Sequence, residues 1–268
     1  MSSNVYMPET IALKTLVHSF WQVNHQTSHR NEYIIPKGVI ELVFNFSDSE
    51  SISASLGGKR YELTRCFING FNRLPIGVSL PERQTFFGVQ LQPMAVKQLL
   101  RVPGKEFSDR PVDLSLLGKD FEILWHQLGI APTFETRVAI FSAWIERKQV
   151  NWSPQEKYVN EFLCSAGQYD LTVPQLAETV CYSTRQLSRK LVEATGMNTE
   201  EILLYKKYLH AVHLMHHSDF SLTQIGYRSS FSDQSHFIRS FKLFAGMTPG
   251  EYHHSKAAVK GHIYRDVR

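Results

Sequence analysis

Residues 231–252 read FSDQSHFIRSFKLFAGMTPGEY and place Gln234, Ser235, His236, Arg239 and Lys242 in close succession. Carboxamide, hydroxyl, imidazole and guanidinium groups are the donors and acceptors that pair with base edges, while Lys and Arg also meet phosphate. Phe237, Phe241 and Phe244 recur at i, i+4 and i+7, the spacing of one buried helical stripe. The polar groups are left on the opposite face and the first turn. Ser232 is the expected N-cap, and Pro249-Gly250 is expected to form a turn beyond the helix.

The surrounding elements repeat. At an offset of 50, Leu187 falls on Phe237, Arg189 on Arg239, Leu191 on Phe241 and Gly196-Met197 on Gly246-Met247. Upstream the offset is 49, so Ala177 meets Gly226, Tyr182 meets Phe231 and Ser183 meets Ser232; one inserted residue is expected early in the second unit's helix. Each unit reads as a short helix, a tight turn and a longer helix opened by serine, which is the helix-turn-helix pattern. The units span about 172–196 and 221–246. A helical pattern over about 199–216 joins them, roughly 25 Å at 1.5 Å per residue. That length suits two recognition helices about one duplex turn apart.

The chain divides near residue 150. Residues 1–150 read as α+β: strand-like runs such as FWQV, VIELVFNF and FFGVQL, then helical patterns after Pro93 and over about 119–129 and 133–148. Ser153-Pro154 marks a helix start, and from there to about 254 nothing resembles a strand. Residues 151–268 therefore read as all-α. Across 268 residues the net charge is only +4, so charge alone does not indicate nucleic acid. Arg185, Arg189 and Lys190 are nevertheless concentrated in 183–190 without an acid.

Cys66, Cys164 and Cys181 are widely separated with no CxxC pair, which argues against a zinc ribbon or disulfide framework. The N-terminal residues show no signal-peptide pattern and no apolar run approaches a membrane span, so a cytoplasmic location without membrane attachment is expected. His213 and His217 have zinc-compatible spacing, with His210 and His216 nearby, but no Cys or carboxylate in that segment completes a set. A helix-terminal role favours the same histidines. No catalytic constellation, metal site or cofactor motif emerges.

Residues 155–254 resemble the DNA-binding region of AraC/XylS-type transcriptional regulators. LTVPQLAETVCYSTRQLSRKL and SLTQIGYRSSFSDQSHFIRSFKLFAGMTPGEY carry the resemblance. IIPKGVIELVFNF, FFGVQLQPMAVKQLL and FSDRPVDLSLL resemble a β-rich, barrel-like sensor domain found in a subset of these regulators. The resemblance implies base contacts at Arg185, Ser188 and Arg189 in the first unit, and at Gln234, Ser235, His236 and Arg239 in the second. Lys190, Lys242 and the helix N-termini suit phosphate.

Several positions depart from the family pattern. Cys181 and Ser230 stand where glycine is usual in the turns, and Gly226 where alanine is usual. Lys207 replaces an arginine, and His253 stands where the signature ends in arginine. The implied partners are operator DNA, a small-molecule effector at the N-terminal domain, a second copy of the chain, and RNA polymerase for an activator. The competing reading is a DNA-modifying or repair enzyme that uses the helical module only for targeting. It would need a reactive metal-bound cysteine, and Cys66 is the only cysteine in residues 1–150.

Overall fold

The computed structural model describes residues 2–26, 31–47, 52–148, 150–165 and 170–265. In the first half, β1 (Ser2–Tyr6), α1 (Ile11–Lys14), β2 (Val17–Gln26), β3 (Asn31–Ile34), β4 (Ile40–Asn45) and β5 (Ile52–Leu56) come first. They are followed by β6 (Lys59–Leu63), β7 (Cys66–Asn69), β8 (Ile76–Ser79), β9 (Arg83–Leu91), α2 (Val96–Leu100) and β10 (Pro111–Asp113). Two helices, α3 (Asp120–Ile130) and α4 (Phe134–Glu146), complete this half. The strands form a six-stranded sheet in the order β1-β2-β9-β4-β7-β10 and a five-stranded sheet that faces it.

The middles of β4 (residues 42–44) and β9 (residues 86–89) are apolar on consecutive positions because both faces of the six-stranded sheet are covered there. On one face Phe20, Phe44 and Phe87 meet Phe141 of α4 at ring-centroid distances of 5.8 to 6.5 Å. On the other, Val43 and Phe86 pack with Ile52 of the second sheet. Gly88 lies opposite Trp21, and a Cβ there would meet the indole Cε2 at 2.0 Å, so the missing side chain is what admits the ring.

The second half is a helical array: α5 (Pro154–Cys164), α6 (Val173–Thr179), α7 (Thr184–Thr195), α8 (Thr199–His217), α9 (Leu222–Arg228), α10 (Gln234–Ala245) and α11 (Pro249–Ser255). Pro249 occupies the first turn of α11 behind the N-cap Thr248, not the interior of a turn. Its missing N–H costs nothing at that position. The turn beyond α10 is made instead by Gly246, whose φ is 70°.

A strand that the sequence reading did not foresee follows: β11 (His262–Arg265), antiparallel to β3 at the edge of the five-stranded sheet. Four residues of HIYR carry too little alternation to announce a strand.

One contiguous buried cluster runs through both halves, and α8 is its centre. Tyr205 and Tyr208 are fully buried. Their hydroxyls donate to the backbone carbonyls of Asn72 at 3.0 Å and Pro36 at 3.1 Å. The buried Lys206 ammonium donates to the carbonyls of Phe162 at 2.7 Å and of Ser165, satisfying acceptors left open at the end of α5. Burial lowers its pKa to about 8. Among the described residues, no helix is long and apolar enough to cross a membrane.

Candidate nucleic-acid interface

The two helical pairs α6–α7 and α9–α10 are built by the same local chemistry. Thr172 caps α6 and Ser183 caps α7, each in a reciprocal capping box with a glutamine three residues on. Ser221 and Gln224 do the same for α9. Each short helix ends in a paired turn. Tyr182 N–H donates to the Ala177 carbonyl and Cys181 N–H to Glu178, both at 3.0 Å. Phe231 to Gly226 at 3.2 Å and Ser230 to Tyr227 at 3.0 Å repeat the arrangement. These are Schellman closures, which need a left-handed residue. Cys181 at φ 54° and Ser230 at φ 58° supply it without being glycine. Lys207 of α8 donates to the Ser230 carbonyl at 2.8 Å and so pins the second turn from the linker helix.

The cap of α10 differs from the expectation. Asp233, not Ser232, accepts the His236 N–H at 2.8 Å, and α10 starts at Gln234. The extra residue of the second unit therefore lengthens the turn and does not enter the helix. Ser232 instead bonds the His236 ring at Nδ1, 3.0 Å away, and Phe231 abuts that ring edge-on. His236 is thus half-buried and drawn back against the turn.

Leu187, Leu191, Phe237 and Phe241 are fully buried, which sets the rotation of both longer helices. Arg185 and Arg189 are exposed on α7, with Ser188 half-buried between them. Gln234, Ser235, Arg239 and Lys242 are exposed on α10. Lys190 does not join its neighbours. Its ammonium lies 2.8 Å from Glu156 of α5, and that hydrogen bond raises its pKa. At the equivalent position α10 carries the buried Ser240, so this register points inward in both helices. Ile238, absent from the sequence expectation, is 37% exposed in the stripe that contains Ser235, Arg239 and Lys242. Its spacing from Ser235 and Lys242 was the available signal; its apolar type concealed it. An apolar side chain on such a face can contact the thymine methyl.

The far ends of both longer helices are held by hydroxyls from the β-rich half. Ser108 Oγ donates to the Thr195 carbonyl at 2.9 Å, and Tyr33 Oη donates to the Ala245 carbonyl at 3.2 Å.

The cysteines and histidines serve other ends. Burial, with Asp113 and Glu122 nearby, pushes the Cys66 thiol up to about 11, and burial pushes Cys164 to about 11. Neither is an activated thiolate. His210 faces Ser229 Oγ at 3.1 Å, and His216 faces the Tyr252 hydroxyl at 2.8 Å. His213 and His217 stack at 4.4 Å. Among the described residues, no three metal-ligating side chains converge.

Residues 176–255 match the family described as a helix-turn-helix domain. Residues 4–113 match a family known only as a domain of unknown function (DUF6597). The HTH-type transcriptional activator RhaS of Salmonella arizonae is 33% identical over 84 residues, 31% of this chain and 30% of that protein. The match thus spans less than a third of the curated relative's length. Among solved structures, ToxT from Vibrio cholerae aligns over 88% of this chain and 98% of its own, at 16% identity and a TM-score of 0.49. The C-terminal domain of AraT from Geobacillus stearothermophilus covers 40% of this chain and 89% of its own, at 23% identity and a TM-score of 0.35. With two helix-turn-helix units mounted on one linker helix and a family match across both, residues 176–255 of this chain are a helix-turn-helix domain.

Proposed function

We propose that the protein is a sequence-specific, double-stranded-DNA-binding transcription regulator. Its residues 1–150 would form a sensing or dimerising domain, and residues 151–268 a DNA-binding domain. The observation that carries this reading is the pair of exposed polar faces on α7 and α10, repeated in one chain and tied to the same α8. Arg185, Ser188 and Arg189 read bases in one major-groove segment, and Gln234, Ser235, Arg239 and Ile238 in the next. Lys242 meets phosphate. His236 supports the turn more than it reads a base, and Lys190 holds α5 rather than the duplex.

The mild net charge makes sequence-independent affinity modest, so specificity rests on base contacts. An effector in the β-rich domain would act by favouring one placement of the two units. RhaS is named an activator, and a regulator of that kind would also contact RNA polymerase. The protein would work in the cytoplasm as a binding protein, not an enzyme. The raised thiol pKa values of Cys66 and Cys164 favour this reading over a repair enzyme that uses either as a reactive cysteine.

Genome-wide mapping of bound DNA would supply the operator. On that operator, Arg189→Ala and Arg239→Ala should each weaken binding by about 1–3 kcal/mol and relax preference at one base position. Lys242→Ala should weaken all sequences alike and reduce the salt slope by about one. Equal losses on operator and scrambled DNA for both arginine variants would assign them to phosphate and sink the specificity assignment.

A further inference from the structure

Where α8 meets the β-rich half lies a cavity of about 210 Å³. Six basic side chains line it: His18 of β2, Lys37 ahead of β4, Lys206, His210 and His213 of α8, and Lys260 ahead of β11. Among the described residues, no aspartate or glutamate lines it. Lys37 has a carboxylate partner nearby, Glu41 at 3.3 Å. Lys206 and Lys260 have none. Lys206 is 3% exposed, and its ammonium meets only uncharged oxygens, the carbonyls of Phe162, Leu163 and Ser165 and the Ser165 hydroxyl. The acid nearest to it is the Cys164 thiol, which at about 11 stays protonated. Lys260 forms no hydrogen bond or ion pair with a described residue, and burial around its ammonium lowers its pKa.

These groups repel one another. Burial, then His213 and Lys260, lower His210 to about 4, and burial, then Lys260 and His217, lower His213. Burial lowers His18 as well. At neutral pH the imidazoles are therefore mostly uncharged, and Lys206 and Lys260 leave two positive charges without a counter-charge. Partly buried like charges are costly unless an opposite charge joins them.

Lys206 has spent its N–H groups on α5, so it supplies field and not contact. The contacts fall to Lys260 and His18, both exposed, and to the half-buried His213. Their donors reach in from three separate elements. A tetrahedral group with three terminal oxygens suits that convergence better than a planar carboxylate. A 150 Å³ cavity holds benzene, so 210 Å³ takes about eight non-hydrogen atoms, a phosphate group on a short carbon body.

We infer that this junction pocket binds a small dianion of the phosphate or phosphate-monoester class, held by Lys260, His213 and His18 with the charge of Lys206 behind them. The inference gives the proposed sensing role a ligand class and a place, and its test involves no DNA. The full-length chain is titrated calorimetrically with glycerol 3-phosphate, inorganic phosphate and succinate at matched ionic strength.

The expected result is saturable binding of at least one phosphate, about tenfold tighter than succinate. Tighter binding of glycerol 3-phosphate would point to a phosphorylated metabolite, and tighter binding of inorganic phosphate to the free ion; either supports the site. Lys260→Gln and His213→Gln should each weaken binding about tenfold. Lys242→Ala, on the recognition face of α10, should leave it unchanged. No saturable binding, succinate binding equally well, affinity surviving both pocket substitutions, or an equal loss in Lys242→Ala would overturn the inference. Lys260 is exposed, so Lys260→Gln decides should His213→Gln fail to fold. Phosphate binding without operator binding would leave this inference standing while the regulator reading fell.

Discussion

The left-handed turn residues offer a test of the helix-turn-helix construction itself. Cys181 and Ser230 hold φ of 54° and 58°, a region that costs a non-glycine residue roughly 1–2 kcal/mol. Cys181 is exposed, and what anchors the Ser230 turn is its carbonyl, held by Lys207, which a glycine would retain. Cys181→Gly and Ser230→Gly should therefore relieve the strain. Each returns about 0.4–1 kcal/mol to the entropy of the unfolded chain. The net gain is about 0.5–1 kcal/mol per site. The sites lie in separate units, so the double variant should gain about 1–2 kcal/mol. At about 2–4 °C per kcal/mol for a chain of this size, its Tm rises by roughly 2–8 °C. Calorimetry on wild type, both glycine variants and the matching alanine variants measures this. Alanine keeps the Cβ that causes the strain, so Cys181→Ala and Ser230→Ala should stay within about 0.5 kcal/mol of wild type. If both glycine variants melt below wild type while both alanine variants are neutral, the strain argument is wrong.

Tyr33→Phe and Ser108→Ala each remove one hydroxyl, the first tying α10 and the second α7 to the β-rich half, and each should cost about 0.5–1.5 kcal/mol. Hydrogen exchange at the ends of α10 and α7 should rise accordingly; unchanged exchange would mean the hydroxyls hold nothing. For Lys206, the folded pKa of about 8 lies below the unfolded value, so between those values the unfolded chain binds the extra proton and stability from this group rises with pH. Denaturant titrations of wild type and Lys206→Met should diverge in slope from about pH 8 upward, and parallel curves would contradict the burial argument. A fragment of residues 152–268 should form its helices yet melt well below the full chain, because Tyr205, Tyr208 and β11 lose their partners in the other half. Circular dichroism melts of both chains check this, and equal melting temperatures would refute it.

The helical architecture was legible because its signals are local. Serine and threonine caps, apolar spacing and the Gly196/Gly246 stops lie within a turn or two of what they control. The left-handed turns at Cys181 and Ser230 could be placed only through the family resemblance, because neither residue type announces them. What escaped was decided at a distance. Nothing near Lys190 announces that Glu156 lies across from it, and the repeat sets no apolar residue at Ser240 to mark that register as buried. Asp233 and Ser232 are both good caps, and the choice between them depends on how far the turn extends. The facing of the two sheets follows from pairings such as β2 with β9 that join residues far apart in sequence.

The return of the chain through β11 changes the mechanics of the helical half. It leaves the β-rich half after α4 and comes back to it at His262, so it is held at both ends rather than hung from one linker. A body on a single tether can swing in any direction. This one also shares the buried core around α8 with the β-rich half and is held by the Tyr33 and Ser108 hydroxyls, so β11 adds one more fastening to a packed interface. The weaker fastening is a four-residue edge strand, short enough to peel. A protein fused behind the C-terminus would load that short strand before the rest of the interface.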